Sequence, residues 1–80
     1  MTVDEAVGAA DAAHMATMRA QRAEGLAARR ATETGEPDDI AAAKAARRTS
    51  REAEAAERAA QRIADRMLQA ATGQRPRGVL

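Results

Sequence analysis

The chain has no cysteine and no phenylalanine, tryptophan or tyrosine. The first absence removes disulfides and thiolate metal sites, and the lone histidine, His14, cannot build a zinc site by itself. The second removes the rings that stack on exposed bases and those that anchor interfacial membrane helices. No apolar run reaches the length of a signal-peptide core or a membrane span, so the expectation is a soluble, cytoplasmic chain with no membrane association. A large field of one sign is missing too. Thirteen basic residues stand against 12 acidic ones for a net charge of +1, too little to recruit a polyanion by charge alone. Two slim helices provide no enclosed pocket where a nucleophile and base, a metal or paired carboxylates would converge. The expectation is therefore not an enzyme, with no cofactor and no small-molecule substrate.

What the chain does have is alanine, its commonest residue by a wide margin. A single core at this length leaves about 3 to 5 kcal/mol of net stability, and here it must be made largely of methyl groups. With the usual staples missing, association with a partner, most simply itself, is the expected remedy. Lys44 is the one lysine beside twelve arginines. Alanine and arginine enrichment is what a GC-rich bacterial or phage genome imposes on any protein, which weakens functional readings of the arginines.

Thr2-Val3-Asp4-Glu5 is a capping box in which the Thr hydroxyl and Glu carboxylate satisfy each other's free amides. From it a helix is predicted over about residues 3–31, with Arg29 and Arg30 at its negative end. A turn over about 32–36 contains Gly35. Pro37 then suits the first position of a second helix, over about 37–72, with Asp38 and Asp39 in its first turn and Gly73 as its stop. Residues 74–80 have two breakers and no periodicity, so they read as a flexible tail whose Arg75 and Arg77 could touch phosphates. The domain is thus a helical hairpin over 1–73.

Steps of three and four residues give each helix an alanine-lined heptad seam. In the first helix it runs Ala6, Ala9, Ala13, Ala16, Ala20, Ala23, Ala27. In the second it runs Ala42, Ala46, Thr49, Ala53, Ala56, Ala60, Ile63, Met67, Ala70. Folding back at Glu36 and Pro37 sets Ala6 against Met67, Ala9 against Ile63, Ala13 against Ala60, Ala16 against Ala56 and Ala20 against Ala53. Charge agrees with this antiparallel pairing: Arg29 and Arg30 end near Glu36, Asp38 and Asp39, and Arg62 and Arg66 near Asp4 and Glu5. The fold class is all-α, an antiparallel two-helix hairpin that pairs into a four-helix bundle or docks on a partner. At the level of architecture it is similar to small hairpins that dimerise in this way.

Off the seam, the first helix carries Val3, Val7, Met15, Met18 and Leu26 around His14, predicted to form a protein interface. Singly exposed apolar residues are also ordinary on any surface. The expected function is a small interaction module, a scaffold, adaptor or regulator, whose partner is another protein or a second copy as a homodimer. Nucleic acid is the second candidate partner: Lys44, Arg47, Arg48 and Arg51 cluster on the second helix, and Arg58, Arg62 and Arg66 form a row that could follow a phosphate backbone. Interleaved Glu52, Glu54, Glu57 and Asp65 favour the plainer reading of a solvated face. Asp11, His14 and Met18 share a helix face but match no standard ligand set. Arg47-Arg48-Thr49-Ser50 resembles a basic-directed phosphorylation site, poorly presented in mid-helix. Gly8 and Gly25 cost helix stability, which a close approach or a bend would explain.

Overall fold

The structure, a computed structural model, describes residues 1–73. It consists of α1 (Val3–Thr34) and α2 (Pro37–Thr72), packed against each other as an antiparallel hairpin. The expected tail, with Arg75 and Arg77, lies outside the described residues.

Helix α1 starts at the capping box: Glu5 N–H donates to Thr2 Oγ1 at 3.1 Å and Thr2 N–H to Glu5 Oε1 at 2.9 Å. These bonds to Thr2 hold the Glu5 carboxyl below its ordinary pKa. The C-terminus departs from expectation. The helix runs on past Ala31 to Thr34, and Thr32 Oγ1 donates back to Ala28 O at 3.0 Å. Gly35 then supplies the stop, with a positive φ in the left-handed region and its N–H on Ala31 O. Only Gly35 and Glu36 remain as the link. Thr34 Oγ1 accepts from Glu36 N–H and donates to Asp39, and Arg30 Nε pairs with Asp39 Oδ1 at 3.3 Å across the turn. Pro37 opens α2, where a missing N–H costs nothing. Gly73, also left-handed, closes it with its N–H on Gln69 O.

The seam differs from the expected one in half of its members. The observed seam on α1 runs Val3, Ala6, Ala10, Ala13, Thr17, Ala20, Glu24, Ala27, Ala31, and on α2 Asp39, Ala43, Ala46, Ser50, Ala53, Glu57, Ala60, Ala64, Met67, all buried or half-buried, with Val7, Ala16, Glu54, Ala59 and Gln69 half-buried outside it. Ala6, Ala13, Ala20 and Ala27 keep their expected places, as do Ala46, Ala53, Ala60 and Met67. Ala9, Ala16 and Ala23 give way to Ala10, Thr17 and Glu24. On α2, Ala42, Thr49, Ala56 and Ile63 give way to Ala43, Ser50, Glu57 and Ala64. Each helix is turned by half a residue step, about 50°. Ala9-Ala10 and Ala42-Ala43 keep a methyl on either choice, whereas Ala16, Ala23, Ala56 and Ile63 yield to Thr17, Glu24, Glu57 and Ala64, so methyl burial alone would favour the expected rotation. Polar links and the packing of Val7 go with the observed rotation, although it turns Ile63 outward. The observed rotation brings Thr17 Oγ1 within 3.1 Å of both Ala13 O and Ala53 O, and packs Val7 and Met67 onto Ala6, Ala10 and Ala64.

The register shifts too. Thr17, not Ala20, reaches Ala53, and Ala6 packs with Ala64. The two-residue link explains this, because the ladder of cross-helix contacts steps outward from it through Arg30 and Asp39, Glu24 and Arg47, Thr17 and Ala53, and His14 and Glu57. Of the expected charge contacts, Arg30 with Asp39 forms. Arg62 and Arg66 make no ion pair with Asp4 or Glu5.

Among the described residues the fully buried apolar core is Ala6, Ala10 and Ala64, all near the open end. Thr17 and Ser50 are buried in the middle, and Ser50 Oγ, only 1% exposed as a residue, has no hydrogen-bond partner among the described residues. No atom lies within 4 Å of a Cβ placed on Gly8 or Gly25, so neither glycine serves a close approach.

Candidate interaction surface

Heptad geometry divides the hairpin's surface into two shoulders flanking the seam and a back on each helix. The first shoulder carries Val7, His14 and Gln21 from α1 and Arg47, Glu54, Gln61 and Leu68 from α2. It is bridged by polar contacts. His14 Nδ1 meets Glu57 Oε2 at 2.8 Å, Gln21 Nε2 donates to Glu54 Oε1 at 3.1 Å, and Arg47 Nε lies 3.7 Å from Glu24 Oε2. The hydrogen bond from His14, and after it the nearby Thr17 hydroxyl, hold the Glu57 carboxyl below its ordinary pKa. Met18 and Arg58 complete a shallow open groove here. The groove's polar groups are largely engaged with one another.

The second shoulder is of another kind. Its small and apolar members are Ala9, Ala12, Ala16, Ala23 and Leu26 from α1, and Ala42, Ala45, Thr49, Ala56, Ala59, Ile63 and Ala70 from α2, with Glu5, Arg19, Glu52 and Arg66 along its outer edges. Ala16 and Ala59 are half-buried and the others exposed, with Leu26 at 59% and Ile63 at 40%. Away from the turn, where Arg30 meets Asp39, no hydrogen bond or ion pair spans the helices on this side among the described residues. The displaced half of the expected seam therefore lies here, as a methyl-lined surface open to solvent.

The six residues expected to form one interface do not come together. Val3 lies in the seam and Val7 packs against the core, both half-buried; His14 is on the polar shoulder and Met18 beside it; Met15 points to the back of α1; and Leu26 belongs to the methyl shoulder. In the expected rotation Val7, His14 and Met18 lie away from the seam, with Met15 and Leu26 at the margins of that face; the observed rotation moves Val7 against the core and Val3 into the seam. The methyl shoulder escapes sequence reasoning because periodicity assigns most of its residues, though not Ala12, Leu26, Ala45 or Ala59, to the interior.

The basic residues separate as well. Lys44, Arg51 and Arg58 share one line on the outer side of α2, and Arg48 and Arg62 lie on its back. Arg66 edges the methyl shoulder. Arg47 pairs with Glu24, whereas the other six form no ion pair among the described residues. Ser50 of the phosphorylation-like stretch is buried against α1, out of a kinase's reach, and Thr49 is exposed. No group of three His, Asp or Glu side chains among the described residues could hold a metal ion, and no helix there is long and apolar enough to cross a membrane. No family model, curated protein or solved structure matches this chain.

Proposed function

We propose that the chain is a non-enzymatic protein-interaction module that docks through its methyl shoulder. One observation carries this reading: an alanine-rich surface that holds Leu26 and Ile63, with Glu5, Arg19, Glu52 and Arg66 along its edges, stays exposed while the buried apolar core among the described residues amounts to three alanines. Covering that surface would add burial that the hairpin lacks. A protein surface suits it better than a lipid one, because interfacial helices draw their affinity from large apolar and aromatic side chains.

The exposed cations of α2 support a second reading, nucleic-acid binding through Lys44, Arg48, Arg51, Arg58 and Arg62, with Arg47 and Arg66 at its margins. Against it stand the near-neutral charge and the missing aromatic rings. Retardation assays with single-stranded and duplex oligonucleotides, run from low to moderate salt, separate the two. The first reading predicts no shifted band at any salt. A band that fades steeply as salt rises, and vanishes in Arg58→Ala with Arg62→Ala, would replace it with the second.

A further inference from the structure

We infer that the methyl shoulder is the contact between two copies of this chain, related by a two-fold axis passing beside Ala12 of α1 and Ala59 of α2. The inference rests on the interaction reading above and names the occupant. Its basis is a charge pattern that complements itself.

The edge of α2 on this shoulder is an unbroken heptad line: Ala45, Thr49, Glu52, Ala56, Ala59, Ile63, Arg66, Ala70. Glu52 and Arg66 are exposed and form no ion pair within the chain's described part. Laying a second copy antiparallel on this line with Ala59 on the axis sets Glu52 against Arg66 twice. It also places each Ile63 over the small Ala56 of the other copy. The edge of α1 behaves alike. There Glu5, Ala9, Ala12, Ala16 and Arg19 form the line, and an axis at Ala12 sets Ala9 against Ala16 and Glu5 against Arg19.

These two axes are not independent choices. Ala6 packs with Ala64 and Thr17 reaches Ala53, so in the observed register Ala12 lies level with the residues beside Ala59. A single axis thus satisfies both lines and creates four opposite-charge contacts. Sliding the copies until the whole hairpins overlap does the reverse: it moves the axis to Arg19 on α1 and Glu52 on α2, and each then meets its own like charge. Charge therefore selects the staggered arrangement.

The overlap on α2 from Thr49 to Ala70 is about 32 Å long and two helices of about 10 to 12 Å across, which covers roughly 700 Å² per copy. Specific complexes bury about 600 to 1,000 Å² per partner. Alanine at the axis permits close helix approach, and Ile63 supplies the largest apolar side chain in the contact.

Sedimentation equilibrium on the full chain, with circular dichroism as the check on folding, tests this. The wild type is expected to be a helical dimer that dissociates on dilution. Glu52→Arg and Arg66→Glu should each weaken the dimer roughly tenfold or more, since each replaces two attractions with two repulsions, and the double variant should recover to within about threefold of wild type. Arg48→Glu, on the back of α2, should leave the mass unchanged. As a readout independent of charge, Ala59→Cys should form disulfide-linked dimers on oxidation, and Arg48→Cys should not. A helical wild-type monomer at every concentration overturns the self-pairing. If no oligonucleotide is bound either, the interaction reading survives that result with a foreign partner. Weakening in both single variants without recovery in the double overturns the proposed register.

Discussion

The two ends of the hairpin are held by different physics. At the open end Ala6, Ala10 and Ala64 are buried, with Val7, Ala60 and Met67 packed around them. In the turn-proximal half, from Met18 to Thr49, no residue is fully buried. Local chemistry organises that half instead: the left-handed Gly35, Pro37 at the helix start, Thr34 and Arg30 on Asp39, and Arg47 beside Glu24. Loop-closure cost explains the division. Near a two-residue turn the helices are already neighbours, whereas joining Ala6 to Ala64 closes a long stretch of chain and needs apolar contact to offset it. The inferred contact between copies covers the open half, where such burial already matters most.

The most disruptive way to break this comparison is to place a charge in each half. Ala64→Asp buries an unpaired carboxylate beside Ala6 and should cost about 3 kcal/mol or more, comparable with the whole stability of a domain this size. Thermal melts followed by circular dichroism should show the hairpin largely lost. Ala27→Asp, half-buried in the turn-proximal seam, should cost about 1 kcal/mol or less and leave a cooperative melt, because water still reaches the site. Equal losses from the two substitutions would contradict the division.

Gly35→Ala comes next. Its positive φ strains a Cβ although no atom crowds the position. The turn should therefore lose about 1 kcal/mol, read as a lowered midpoint in denaturant titration. Ser50→Ala acts in the opposite direction. Removing a buried hydroxyl that lacks a partner should stabilise the chain by about 1 kcal/mol, measured in the same way.

Acidification gives the smallest and most diffuse effect. Glu57 and Glu5 both have a lowered pKa in the fold, Glu57 chiefly through His14 and Glu5 through Thr2, so the unfolded chain binds their protons more tightly. The stability they contribute is present above the ordinary value of 4.5 and is lost as pH falls through the lowered values. Melting temperature should decline on acidification below 4.5, and Glu57→Gln should remove part of that decline.

Much of this fold is legible in the sequence. Thr2 and Glu5 mark the first helix start, Gly35 and Pro37 the reversal, and Gly73 the end of the second helix, because each has a backbone role few other residues fill. The rotation of the helices is not legible. A periodicity count favours the other rotation, because Thr17, Glu24 and Glu57 take seam places that Ala16, Ala23 and Ala56 fill in the count. The groups that go with the observed rotation act between elements distant in sequence: the Thr17 hydroxyl on Ala53 O, His14 on Glu57, and Val7 against the Ala64 layer. The same count hides the candidate interface, since half of the alanines that periodicity assigns to the interior line the outside. Thr32 misleads a reading of the turn because a threonine bonding back to the preceding helical turn does not end a helix, and Thr34, at the helix end, bonds forward to Asp39 instead.

Methyl-to-methyl nuclear Overhauser contacts within a single copy, isolated by isotope filtering, test the rotation most directly. The account predicts cross-peaks from the Ala6 and Ala10 methyls to Ala64. If those methyls met only neighbours on their own helix, and Ala9 and Ala16 took their place against α2, the seam described above would be wrong, and with it the surface left open for a second copy.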